Sequence, residues 1–210
     1  MRKVFGIVTV QMLCTFFVLL AASSNYEFGL WVQQLWVQLT SLFVYLFSFI
    51  PLFCMGNLRK QVPLNYLFLF IITFSMAFLI GAITAYVTVK SLLFCIGVLC
   101  VSVVSLCGAA LVTPLSAKLV MFLLVGLMVG CLLQLVALIA LCVTGYYGYW
   151  WILYGTLGMA ISGILLFIDV IKIQILGKVA VDEYILGALL LYIDIIRLLL
   201  YILMLFGKGK

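Results

Sequence analysis

The sequence predicts an all-α integral membrane protein, a seven-transmembrane-helix bundle forming a single transmembrane domain over residues 1–210. Three observations predict it. Hydrophobic residues make up 69% of the chain and charged residues 8%, far outside the range of a soluble domain. Charged and turn-forming residues fall in short clusters that leave seven apolar stretches, each close to the ~20 residues a helix needs to cross a bilayer. The segments between those stretches are too short to hold a separate soluble domain.

The first stretch, Val4–Ala22, follows Arg2 and Lys3 and lacks a small-x-small cleavage site ahead of a soluble segment, so it reads as a retained span. "SSNYEFG" breaks the chain before Trp36–Met55, where Pro51 predicts a kink whose freed carbonyl must be satisfied inside the bundle. "GNLRKQVP" and "TVKS" bound the third stretch, Leu64–Val87, and the fourth is Leu92–Val112. "TPLSAK" precedes Leu119–Val143, in which Gly126-x-x-x-Gly130 leads one turn on to Gln134. Small residues at that spacing mark a face where helices approach closely in lipid. "TGYYGY" precedes Trp150–Val170, and the aromatic cluster Tyr146–Trp151 reads as an interfacial belt. "IKIQILGKVAVDE" leads to the last stretch, Tyr184–Phe206, with Asp182 and Glu183 complementing the dipole at its start.

Orientation follows from the distribution of cations. Arg2, Lys3, Arg59, Lys60, Lys118, Lys172 and Lys178 fall on one side, and Lys90, Lys208 and Lys210 on the other. Seven against three places the N-terminus in the cytosol. Seven full spans then carry the "GKGK" tail across the membrane, against its local charge; a re-entrant last segment would return it.

The net charge of +6 is scattered over short loops, which suits anionic lipid and gives no support to a nucleic-acid partner. Cysteines at 14, 54, 95, 100, 107, 131 and 142 all lie in apolar stretches with no CxxC pair, and read as small apolar packing residues. No histidine is present, which removes the usual general base for Ser-His or Cys-His chemistry and the usual partner of cysteine in a zinc site. The chain is not read as an enzyme, and it implies no resident cofactor.

Only five acidic residues occur, and two of them, Asp169 in "LLFIDV" and Asp194 in "LYIDII", lie within apolar stretches. A charge at the bilayer centre costs about 2.5–3.5 kcal/mol on insertion scales, so it faces a partner or a water-filled path. Gly158-x-x-x-Ser162 precedes Asp169 by two turns on the same face, and Gly187 precedes Asp194 likewise. Both carboxylates are therefore expected to point into the bundle. Two carboxylates a few ångströms apart cannot both ionise cheaply, so such a pair shares a proton and changes charge with pH. As a calcium site the pair is weak, because calcium prefers about six to eight oxygens. Weak binding is what a permeation path requires. Arg197, three residues after Asp194, is placed for an i,i+3 ion pair that sets a positive charge beside that path.

Four stretches, in order, resemble the transmembrane Bax inhibitor motif family, which includes the Lifeguard and Golgi anti-apoptotic proteins. They are "RKVFGIVTVQMLCT", "RKQVPLNYLFLFIITFSMAFLIGAIT" with its Pro-x-Asn, "YGTLGMAISGILLFID", and "DEYILGALLLYIDIIRLLLYILMLFGK". The resemblance covers nearly the whole chain. It implies a compact bundle with the last helix central and paired aspartates facing each other across helices six and seven, here Asp169 and Asp194. It implies an arginine latch on the sixth-helix aspartate, for which Arg59 is the matching position. It further implies a pH-sensitive calcium leak channel of endoplasmic reticulum or Golgi membranes that suppresses cell death, with calcium as permeant ion. The chain departs from the pattern in having Arg197 where asparagine is common, in lacking a histidine before the last helix, and in lacking a soluble N-terminal tail; a short viral or a pared-down cellular member would fit.

Other readings fare less well. Intramembrane aspartyl proteases resemble one another in a YD and a GxGD motif, and neither "FIDV" nor "YIDI" supplies the glycines. A seven-span receptor would lack an extracellular disulfide pair and loops for a ligand. The serious alternative is a non-conducting membrane protein that inhibits apoptosis by binding membrane apoptosis regulators or by self-association.

Overall fold

The computed structural model describes residues 2–54, 61, 63–112, 117–144, 149–176, 184–207 and 209. Among them the chain forms α1 (Arg2–Ser24), α2 (Tyr26–Gln33), α3 (Leu35–Cys54), α4 (Leu64–Thr84), α5 (Val89–Val112), α6 (Ala117–Thr144), α7 (Tyr149–Leu176) and α8 (Tyr184–Phe206). A single antiparallel bridge, Val87 to Gly209, is the extended pairing among the described residues.

Each apolar stretch is helical over most of its described length, and the differences have local causes. The third ends at Thr84 and leaves residues 85–87 as a turn that pairs, through Val87, with Gly209. The turn "SSNYEFG" holds the start of a short helix, α2, because Asn25 caps it: its side-chain oxygen accepts from the Glu27 and Phe28 amides at 3.1 and 3.3 Å. Glu27 then sits in the first turn, where a negative charge suits the helix dipole. The sixth stretch does not stop at Val170; α7 continues to Leu176, and buried Ile171 and Ile173 alternate with exposed Lys172. Pro51 lies inside α3. Among the described residues, six helical segments are long and apolar enough to cross a membrane: Lys3–Ser24, Leu35–Cys54, Leu64–Thr84, Val89–Ala110, Trp150–Gln174 and Tyr184–Phe206. The described apolar part of the 28-residue α6 is shorter, Val125–Ala140.

The chain divides into two compact units. The first comprises Met1–Phe94, Ile175–Tyr192 and Gly207–Lys210. Its organising element is α4, which packs against α1, α2 and α3. Leu69, Ile72, Thr73, Ala77, Ile80, Gly81 and Thr84 form the buried stripe of α4, at helical spacing. Two glycines let the crossings close. A Cβ on Gly29 would lie 2.8 Å from the Ala22 carbonyl oxygen, and one on Gly81 would lie 3.3 Å from Val32 Cγ1. At the α2–α3 corner the Gln38 amide donates to Val32 O at 2.8 Å and Phe78 O at 3.1 Å, satisfying carbonyls at the helix junction.

The two ends of this unit are distinct. At one, Lys3 Nζ sits 5.8 Å from the Tyr184 ring centre, and Tyr66 and Tyr184 meet hydroxyl to hydroxyl at 3.4 Å. At the other, Ser23 Oγ donates to Val87 O at 2.8 Å, and Val87 pairs with Gly209. Tyr184 and Gly209 therefore lie at opposite ends of α1 and α4, and the chain between them does not return to its starting side.

The second unit comprises Cys95–Gln174 and Ile193–Phe206. The small residues flagged in the sequence divide here. Gly130 packs under Ile161, where a Cβ would lie 3.1 Å from Ile161 Cγ1, whereas a Cβ on Gly126 would meet nothing within 4 Å. The packed face of α6 therefore starts at Gly130, not Gly126. Cysteines also divide: Cys95 is buried, Cys14 and Cys107 are half-buried, and Cys54, Cys100 and Cys131 are exposed, so burial does not describe them as a group. Cys142's side chain lies outside the described residues. Phe43, Phe47 and Ile50 on α3 and Phe122, Met128 and Leu132 on α6 present the exposed apolar faces that lipid would cover.

Candidate functional site

Both apolar-stretch aspartates belong to the second unit, Asp169 near the end of α7 and Asp194 in the middle of α8. The two helices run antiparallel and close because α7 offers small residues to large ones on α8. A Cβ on Gly155 would lie 2.7 Å from Leu205 Cδ2, and one on Gly158 would overlap the Tyr201 ring. Ser162 turns its hydroxyl back to Gly158 O at 2.8 Å, so this buried residue presents no free polar group to the neighbour. Trp151 Nε1 donates to Met204 O at 3.2 Å at the other end of the seam. Gln134 of α6 donates to Tyr201 Oη at 2.7 Å, and Tyr154 meets the Tyr201 ring edge-on at 6.0 Å between centres.

The same antiparallel register, in which Gly155 meets Leu205 and Gly158 meets Tyr201, sets Asp169 of α7 roughly level with Asp194 of α8. Asp194 is 6% exposed, and among the described residues no donor reaches its buried Oδ2. Each carboxyl also has a cation three residues on along its own helix. Lys172 Nζ donates to Asp169 Oδ1 at 3.0 Å, and Arg197 lies 3.8 Å from Asp194 Oδ1. The first is a hydrogen-bonded ion pair; the second is too long for a hydrogen bond and is electrostatic only. Both cations are exposed, at 60% and 45% of their side chains, while the carboxylates are 13% and 9% exposed.

The Arg197 pairing is where the i,i+3 spacing places it. Lys172, with the same spacing from Asp169, escaped sequence reasoning because it was assigned to a loop; Asp-x-x-Lys beside Asp-x-x-Arg is the signal that finds it. Gln134 was singled out, but its partner Tyr201 was not. Arg59, Asp182 and Glu183 lie outside the described residues, as do Tyr146–Gly148 of the aromatic cluster.

The donor set does not suit a resident metal. Among the described residues no group of three or more Cys, Asp or Glu converges, and each of the two carboxylates already has a cation beside it.

A polytopic helical membrane protein with a buried carboxyl in its last helix is thus the class that the fold and the site define. Over residues 1–210 the chain matches the Bax1-I family, "Inhibitor of apoptosis-promoting Bax1", and it belongs to that family as a multi-pass membrane protein. Human protein lifeguard 3 is 28% identical over 220 residues, which covers 98% of this chain and 67% of that protein. No solved structure matches the chain.

Proposed function

We propose that this chain suppresses cell death as a pH-sensitive calcium leak path in an endoplasmic reticulum or Golgi membrane, with Asp169 and Asp194 as its proton-operated gate. The observation that carries this reading is the buried Asp194 Oδ2, which has no donor among the described residues and lies on the α7–α8 seam roughly level with Asp169. One proton shared between the carboxyls would satisfy that oxygen; its loss would add a negative charge where a cation could pass. Arg197 and Arg59, the latter outside the described residues, are the charge partners that set when the path admits a cation. The architecture proposed with it is a bundle of seven spans, the last one central, and the N-terminus cytosolic. Support comes from the length of α6 and from α8, whose candidate span is 56% buried, the largest share of the six.

The test is calcium flux into proteoliposomes made with the purified chain, at several pH values, beside the Asp169→Asn/Asp194→Asn variant. The reading expects pH-dependent flux that the variant lacks. A flat profile, identical for both proteins, rejects it.

A second reading, a non-conducting inhibitor of apoptosis that acts through membrane partners or self-association, is favoured by one observation. Lys172 and Arg197 balance the two carboxylates, so the cluster has little net charge with which to attract a cation. It expects cells expressing the double asparagine variant to stay protected.

A further inference from the structure

The first unit contains a polar cluster of its own, midway along three helices. Gln11 and Thr15 on α1, Thr73 on α4 and Tyr192 on α8 are 5%, 0%, 1% and 0% exposed. Gln11 Nε2 donates to Thr73 Oγ1 at 2.9 Å, and Thr73 Oγ1 donates to Leu69 O at 2.8 Å. Thr15 Oγ1 donates to Gln11 O at 2.8 Å and lies 2.8 Å from Tyr192 Oη, which also reaches Thr73 O at 3.4 Å. One group is left over. Gln11 Oε1 is buried, and among the described residues no donor reaches it.

Turning the amide over does not repair this. It would set the Gln11 oxygen against Thr73 Oγ1, whose proton already goes to Leu69 O, and would leave the amide nitrogen unmatched instead. A buried acceptor left unmet is destabilising, and in a membrane segment bulk water cannot relieve it. A metal cation is the wrong ligand, because the cluster holds no carboxylate and turns the Gln11 amide protons toward its hydroxyls. What fits is a small neutral molecule that donates to Gln11 Oε1 and exchanges hydrogen bonds with the hydroxyls around it. Buried waters take that role, typically with about three hydrogen bonds.

We propose that Gln11, Thr15, Thr73 and Tyr192 form a binding site for one ordered water within the membrane-spanning part of the first unit. The water completes a network that ties α1 to α4 and α8.

The experiment is X-ray radiolytic labelling of the full chain in lipid nanodiscs, read by mass spectrometry. Hydroxyl radicals formed from a bound water mark adjacent side chains that bulk radicals cannot reach. Tyr192, fully buried, is the reporter; Tyr26 and Tyr86, 73% and 65% exposed, report the bulk and an intact fold. The expected result is oxidation of Tyr192 in the wild type and its loss in Gln11→Met, with Tyr26 and Tyr86 unchanged. An unlabelled wild-type Tyr192, or labelling that persists in Gln11→Met, overturns the site. If Gln11→Met alters Tyr26 or Tyr86, mixing the wild type with oxygen-18 water decides. Heavy oxygen reaching Tyr192 later than Tyr86 supports a held water, and simultaneous arrival refutes it.

Discussion

Arg197 stands 3.8 Å from Asp194 Oδ1, close enough to repel a cation there and too far to be bound by a hydrogen bond. On the leak-path reading water reaches this pair, 45% of the Arg197 side chain being exposed, and pairs so screened are worth about 0.2–1 kcal/mol. Arg197→Asn should therefore raise calcium flux by up to roughly fivefold, mostly at neutral and alkaline pH, where that reading has the gate proton released. Flux equal to wild type across pH 6–8 would reject a role for the pair. Lys172→Gln should act in the same direction through Asp169, and Lys172→Arg, which keeps the charge, should leave flux unchanged. Stopped-flow flux with a calcium dye reads both. At this scale the sequence was half legible. The Asp194–Arg197 spacing reads directly as one face of a helix, whereas the Asp169–Lys172 pair was hidden by ending the helix at the first charge. Ile171 and Ile173, both buried, are what carry α7 past it.

Elements meet where glycines allow, and the glycines differ in what surrounds them. On α2 a Cβ at Gly29 would press within 2.8 Å of a backbone oxygen, which cannot turn aside as a side chain can. Gly29→Ala should lower stability by about 1–3 kcal/mol, the usual cost of overfilling a packed contact. Gly126→Ala meets open space on an exposed helix face and should be neutral or stabilise by up to about 1 kcal/mol, since alanine is the better helix former. Thermal unfolding of the two variants in the same detergent checks the contrast; equal midpoints would mean that the α1–α2 crossing is not tight. The apolar stretches were legible as helices because their length and bounding charges decide it. Which glycine of the α6 motif is packed was not, because that depends on the partner, Ile161, far away in the chain. Helix α2 could have been found from Asn25 followed by Glu27, a capping residue with an acid in the first turn.

Across the whole molecule, the charge count and the packing pull in different directions at the C-terminus. The tail carries Lys208 and Lys210, which on charge alone prefer the side that holds Arg2 and Lys3. Within the first unit, however, Lys3 and Tyr66 gather round Tyr184, while Gly209 pairs with Val87 beside Ser23, at the far end of α1 and α4. Two local lysines weigh little against a 23-residue apolar helix and a backbone pairing that hold the tail in place. The N-terminus and the C-terminal tail should therefore lie on opposite sides of the membrane. Short epitope tags at the two ends, probed in cells whose plasma membrane alone is permeabilised, check this. The N-terminal tag is expected to be reached by antibody at once, and the C-terminal one only after the inner membranes are opened with detergent. If both tags are reached together, the last helix re-enters, and the pairing of Gly209 with Val87 does not form in the bilayer.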